Sequence, residues 1–153
     1  MSADLTALAR KVRDAIPLTR HLAFEYLHFD GDTLTLQAPL EPNHNDKNTF
    51  FAGSQAALVT LAGWSLTTLL ADHHGHPSDV VAVDSQLRYT RPLAGALRLH
   101  ARLDDDTALA RFRDGLQRKG RARLAVTVTG HDPDQHTVCE YQGQFLARLY
   151  TAD

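Results

Sequence analysis

Residues 43–64 read NHNDKNTFFAGSQAALVTLAGW, a polar, turn-prone segment that passes into an apolar run with no charged side chain from Asn48 to Ala71. From Ala52 to about His73 the apolar residues occupy most of the helical circumference. That pattern predicts a helix surrounded by protein rather than one lying on a surface. Gly53 and Gly63 leave room for neighbouring backbone. The run is long enough for a membrane span, but Gln55, Trp64 and the hydroxyls of Ser54, Thr60, Ser65 and Thr67 interrupt it, so burial inside a protein is expected.

Working outward, LAFEYLHF and DTLTLQAPL alternate around Asp30-Gly31 and predict strands at about 22–29 and 32–39 joined by a tight turn. Ahead of them Ser2 is the expected cap of a short amphipathic helix carrying Leu5, Leu8, Val12 and Ile16, which Pro17 stops. The asparagines at 43, 45 and 48 make the loop before the central helix. Beyond it, HHGHPSD breaks the helix, and VVAVDSQLRYTRPL reads as a long β-branched strand with Ala82, Asp84, Gln86 and Arg88 on one face. A strand at about 95–103, a helix near 105–119 with an acidic first turn, and a final hairpin around HDPDQ complete the chain. The expected architecture is α+β, with an antiparallel sheet of about five to six strands curled around one long helix.

At 153 residues with a net charge of −2, the chain fits a single domain, 1–153, with no basic field for a nucleic-acid backbone. One cysteine, Cys139, leaves no internal disulfide, and the N-terminus lacks the apolar core of a signal peptide, so a reducing cytoplasm is expected. His73, His74 and His76 have no cysteine or carboxylate at matching ligand spacing, so no metal site is expected there. Trp64 and Tyr89 read as core residues, and Cys139 as inert.

Three segments, DKNTFFAGSQAALVTLAGW, VDSQLRYTRPL and RKGRARLAVTV, make the chain similar to hotdog-fold proteins and, more closely, to the YiiD-type C-terminal domain family of thioesterases. The resemblance implies an acyl-CoA or acyl-carrier-protein thioesterase, or a non-catalytic acyl-thioester binding or interaction module. It further implies a homodimer with sites between subunits, no cofactor beyond the coenzyme A of the substrate, and neither nucleic acid nor membrane as partner. Related thioesterases begin this helix with His-Gly-Gly and carry a carboxylate about two and a half turns later. Here the run is Phe51-Ala52-Gly53, and the later position falls near Thr60.

The expected catalytic set is therefore unusual. Gly53 and Ser54 would offer main-chain N–H groups to the thioester oxygen. Asn45 would orient water or thioester, and Thr60 would position water, although a hydroxyl there can instead bond the carbonyl one turn earlier. Basicity would come from Asp84, Asp46 or His44. Asp84 could equally pair with Arg88. Asp46, Asn48, Phe51, Arg88 and Arg91 form the expected substrate-binding set, the arginines for coenzyme A phosphates.

Overall fold

A computed structural model describes residues 4–151. The first helix, α1 (Leu5–Ala15), is capped by Asp4, whose carboxylate accepts from the Ala7 amide at 3.0 Å. Ser2, the cap expected from the sequence, lies outside the described residues. Pro17 ends α1 as expected, and a 3₁₀ turn, Pro17–His21, follows it. Strand β1 (Glu25–Phe29) consequently starts later than the alternation suggests, after Ala23 takes a left-handed backbone with φ 53°. Strand β2 is Leu34–Ala38, α2 is the long helix Ala52–His73, β3 is Ser78–Tyr89 and β4 is Leu97–Arg102. The chain ends with α3 (Ala108–Lys119), β5 (Arg121–His131) and β6 (Thr137–Leu149).

The six strands form one antiparallel sheet in the order β1-β2-β4-β5-β6-β3. Along β2, β4 and β5 the alternation places Leu34, Leu36, Leu97, Leu99, Leu124, Val126 and Val128 on a buried inner face. Helix α2 runs against that face. Leu58, Val59, Leu66 and Leu70 are fully buried, and a Cβ at Gly63 would stand 2.5 Å from the Phe145 ring of β6. The glycine is therefore what lets helix and sheet approach closely. The helix has the length and composition of a membrane span and is instead the centre of the core.

Several polar groups within this core are satisfied in pairs, whereas the buried Thr68 hydroxyl has no partner. The Tyr26 hydroxyl and Ser65 share a 2.6 Å hydrogen bond, and burial raises the Tyr26 phenol to about 12. Thr67 donates to the Gly63 carbonyl, while Tyr141 and Ser85 share a bond of 2.9 Å.

Two edges of the sheet are handled differently. Strand β4 stops at Arg102, opposite Thr127, so the first half of β5 lacks a strand on that side. Helix α3 packs there instead, inserting Phe112 and Leu116 into the core. The acidic run 104–106 is not the first turn of α3 but the segment ahead of it. Asp105 accepts from the Thr107 amide and from Arg111, which hold its carboxyl at about 2. Strand β3, by contrast, pairs only with β6 and leaves its outer edge open along its whole length, with Val81 and Val83 exposed.

Gly63→Ala is expected to lower stability by about 1–3 kcal/mol, because Phe145 is fully buried and cannot swing clear of the added methyl. The midpoint of urea unfolding measures this.

Candidate active site at the start of the central helix

Helix α2 begins without a side-chain cap. Phe51 is its N-cap residue, and the first amide bonded within the helix is that of Gln55, which donates to the Phe51 carbonyl. Among the described residues nothing accepts from the N–H groups of Ala52, Gly53 and Ser54, which form the exposed end of the helix. These orphan donors and the partial positive charge of the helix end make a place for an oxygen that is gaining negative charge.

Three hydrogen bonds fix this entrance from three directions. The Phe51 amide donates to the Asn43 carbonyl at 2.7 Å, and the Phe50 amide donates to the Leu93 carbonyl at 2.8 Å. The Tyr89 hydroxyl, at the end of β3, donates to the Ala52 carbonyl at 3.0 Å. Tyr89 is thus not the core residue its type suggests: it is 47% exposed and ties the open strand to the helix start. Asn43 is buried and anchors the loop through its Nδ2, which donates to the carbonyls of Leu22 and Pro39.

The remaining loop residues divide clearly. Asn45 spends its whole side chain within the loop: its Oδ1 accepts the amides of Lys47 and Thr49, and its Nδ2 donates to the Thr49 hydroxyl. Asn48 is exposed in the left-handed region with φ 59°, which suits asparagine. Asp46 is exposed and pairs with Lys47 at 2.9 Å, while His44 faces Glu41 at 3.5 Å. Phe51 is also exposed, and its ring lies over Gly53, where a Cβ would otherwise project.

Beyond the first turn of the helix lies an apolar groove of about 570 Å³. Ala56, Ala57, Thr60, Leu61 and Trp64 form its helical wall, Val80–Ala82 of β3 its sheet wall, and Ile16 and Leu18 a third side. No charged side chain lines it. Thr60 faces this groove while its hydroxyl donates to the Ala56 carbonyl at 2.8 Å, leaving only lone pairs to offer. Trp64 is also part of the groove rather than a wholly buried core residue, with its Nε1 donating to the Val80 carbonyl at 2.9 Å. Leu58, Leu66 and Leu70 point the other way, into the sheet.

Asp84 is not brought to this place. A β-bulge between Ala82 and Asp84 reverses the alternation, so that Ala82 borders the groove while Asp84 and Gln86 join Arg123 and Thr127 on the outer face of the sheet. Arg88 follows them, beside Glu140 in a second outer-face trough. After the bulge, Ser85, Leu87 and Tyr89 are the residues of β3 that turn inward. Arg91 is exposed on the stretch between Tyr89 and Leu93, both of which bond to the helix entrance.

Sequence reasoning missed Gln55, which is buried at the helix start with an Oε1 that has no partner, and the apolar pair Ile16 and Leu18. Two bulky apolar residues flanking Pro17 are the signal that the sequence offers for that pair. At the far end of α2, burial lowers the His74 pKa, and its Nε2 has no partner. The carboxylates and imidazole of Asp132, Asp134 and His136 cluster in the β5–β6 turn, where Asp132 already accepts the amides of Asp134 and His136.

The model of a family described as "Putative thioesterase (yiiD_Cterm)" matches residues 5–149. Among solved structures, a protein of unknown function from Chlorobaculum tepidum is 29% identical, with a TM-score of 0.86 over 95% of this chain and 94% of that one. A "putative thioesterase" from Shewanella oneidensis is 26% identical, with a TM-score of 0.82 over 94% and 96% of the two chains. A thioesterase from Haemophilus influenzae, 15% identical with a TM-score of 0.77 over 99% and 95%, shares the hotdog fold.

Gly53→Ala is expected to behave oppositely to the same change at Gly63. The ring over Gly53 belongs to the exposed Phe51 and can move aside, so stability stays level or rises by up to about 1 kcal/mol from improved helix propensity. Parallel urea titrations of the two variants make the comparison.

Proposed function

Because the chain belongs to the YiiD C-terminal thioesterase family, we propose that it hydrolyses the thioester between an acyl group and coenzyme A or a carrier protein, with the carbonyl held at the start of α2. The observation that carries this reading is the set of free N–H groups at Ala52–Ser54, one turn from an uncharged apolar groove. As water adds to the carbonyl carbon, the Gly53 and Ser54 amides donate to the oxygen that takes up negative charge. Collapse of that intermediate expels the thiolate and leaves the carboxylic acid.

One copy of the chain does not complete such a site. Thr60 stands about 10 Å of helix rise beyond Gly53, too far to hold a water against a carbonyl bound there. The open edge of β3 supplies the remedy. Two copies paired along that edge about a two-fold axis run antiparallel, so the Val80–Ala82 end of one strand lies beside the Tyr89 end of the other. The groove of one copy, with Thr60, then meets the helix entrance of the second. In this homodimer Thr60 accepts a hydrogen bond from the water and orients it, and His44 or Asp46 in the entrance loop supplies basicity. Asn45 shapes the loop as a positioning residue. Asn48 and Phe51 form the rim, and Arg91 there is the cation placed for coenzyme A phosphates.

A second reading, a non-catalytic acyl-thioester binding or interaction module, is favoured by one observation. No carboxylate or imidazole lines the groove. Purified protein assayed against acyl-CoA and acyl-carrier-protein chains with a thiol reagent separates the two. Cys139 adds no background, since it is fully buried with its thiol pushed up to about 11. Release of thiol supports the hydrolase; binding without release on every chain supports the module.

Val83→Lys places a charge on the exposed edge and is expected to convert the dimer to monomer and abolish turnover together. Sedimentation velocity and the thiol assay on the same samples test the link, and a monomeric variant with full activity would refute the shared site.

A further inference from the structure

Resting on the thioester reading above, we infer that the groove takes an unsubstituted aliphatic acyl chain, and that Trp64 and the 3₁₀ turn Pro17–His21 set its length. The first part follows from hydrogen-bond accounting. The polar side chains of the groove are Thr19, Thr60 and the Trp64 indole, and each has already given its proton to a main-chain carbonyl. Thr19 donates to Ile16 at 2.6 Å, Thr60 to Ala56 at 2.8 Å and Trp64 to Val80 at 2.9 Å. No side-chain donor is left for a carboxylate on the acyl tail, which would lose its water and gain no partner.

The second part follows from placement. The helical wall begins at Ala56, beside the entrance turn, and ends at Trp64, about 12 Å further along the axis. The bond to Val80 fixes the indole there, so the groove ends on a rigid surface. Leu18 and Ile16 contribute apolar surface that the folded chain leaves 61% and 39% exposed, on a turn whose own buried residue is Thr19. Such surface suits a bound chain, and a volume of about 570 Å³ lies within the range of small-ligand sites. The helical wall starts within about a turn of the free amides, so a tail extending from a carbonyl bound there has the groove as its apolar continuation.

Non-hydrolysable thioether analogues of coenzyme A carrying saturated chains of graded length, together with ω-carboxyl versions, provide the test by titration calorimetry; the matching thioesters are run in the thiol assay. Affinity is expected to rise with length to a limit, and the ω-carboxyl analogues to bind at least about tenfold more weakly than their saturated counterparts. Trp64→Ala moves the limit to longer chains. Leu18→Asp, at an exposed position, weakens the longest chains about tenfold and leaves the shortest unchanged. Trp64→Phe, which removes the bond to Val80 together with part of the ring system, lengthens the limit less than alanine does and serves if the alanine variant does not fold. Length-dependent binding that shifts in these variants without any thiol release upholds the groove and overturns the hydrolase. Turnover with a length profile that neither position alters overturns the groove alone. Variants that change only self-association show the surface to be covered by the second copy, and overturn it too.

Discussion

A 22-residue helix with no polar face has to be enclosed on nearly every side, and that requirement organises this molecule. One sheet face covers the side that carries Leu58, Leu66 and Leu70, and the contact is close because Gly63 presents no side chain to Phe145. Polar side chains along the helix are mostly paired within the core, as Ser65 is with Tyr26 and Thr67 with the Gly63 carbonyl. The end that carries free amides is the one place where the buried helix meets solvent with unsatisfied donors. Candidate site and core are thus consequences of one constraint: a helix mostly enclosed along its length offers unpaired main-chain donors at its tip.

The proposed reaction also needs the tip held still, since donors that wander do not stabilise developing charge. Bonds from three separate segments meet there, from the loop at Asn43, from the stretch after β3 at Leu93, and from the end of β3 itself through Tyr89. The last of these couples the helix entrance mechanically to the strand whose edge is open. A change in how that edge is occupied therefore has a direct route to the geometry of the amides, through one phenol and one carbonyl.

The central helix was legible in the sequence because the absence of charge over so long a stretch admits few alternatives, and its bounds, Ala52–His73, agree with the structure. The hairpins at Asp30-Gly31 and HDPDQ were legible from turn chemistry. What the sequence concealed are features that depend on partners far along the chain. The bulge after Ala82 breaks an alternation that looks regular on paper, and it moves Asp84 to the outer face. Tyr89 and Trp64 resemble core aromatics, yet each has its polar atom on a main-chain carbonyl at the border of the site. Asp105 reads as the first turn of a helix, whereas it closes the segment before it. The exposed valines of β3 carry the same signature as buried ones, because β-branching reports strand propensity and not which side of a strand is covered.

The pairing of β3 also has a temporal side. Among the described residues its partner strand is β6, with Ser78 opposite Leu149 and Tyr89 opposite Cys139, so the strand is attached by a segment far along the chain. Until β6 arrives, the long helix lacks Phe145 and the wall beyond it, and the valine-rich strand has neither neighbour. Loop closure of that span has to be met before its contacts repay it, which makes this pairing a late event in folding. During synthesis on a ribosome, the long helix is therefore made well before its wrapping is complete, which waits for β6.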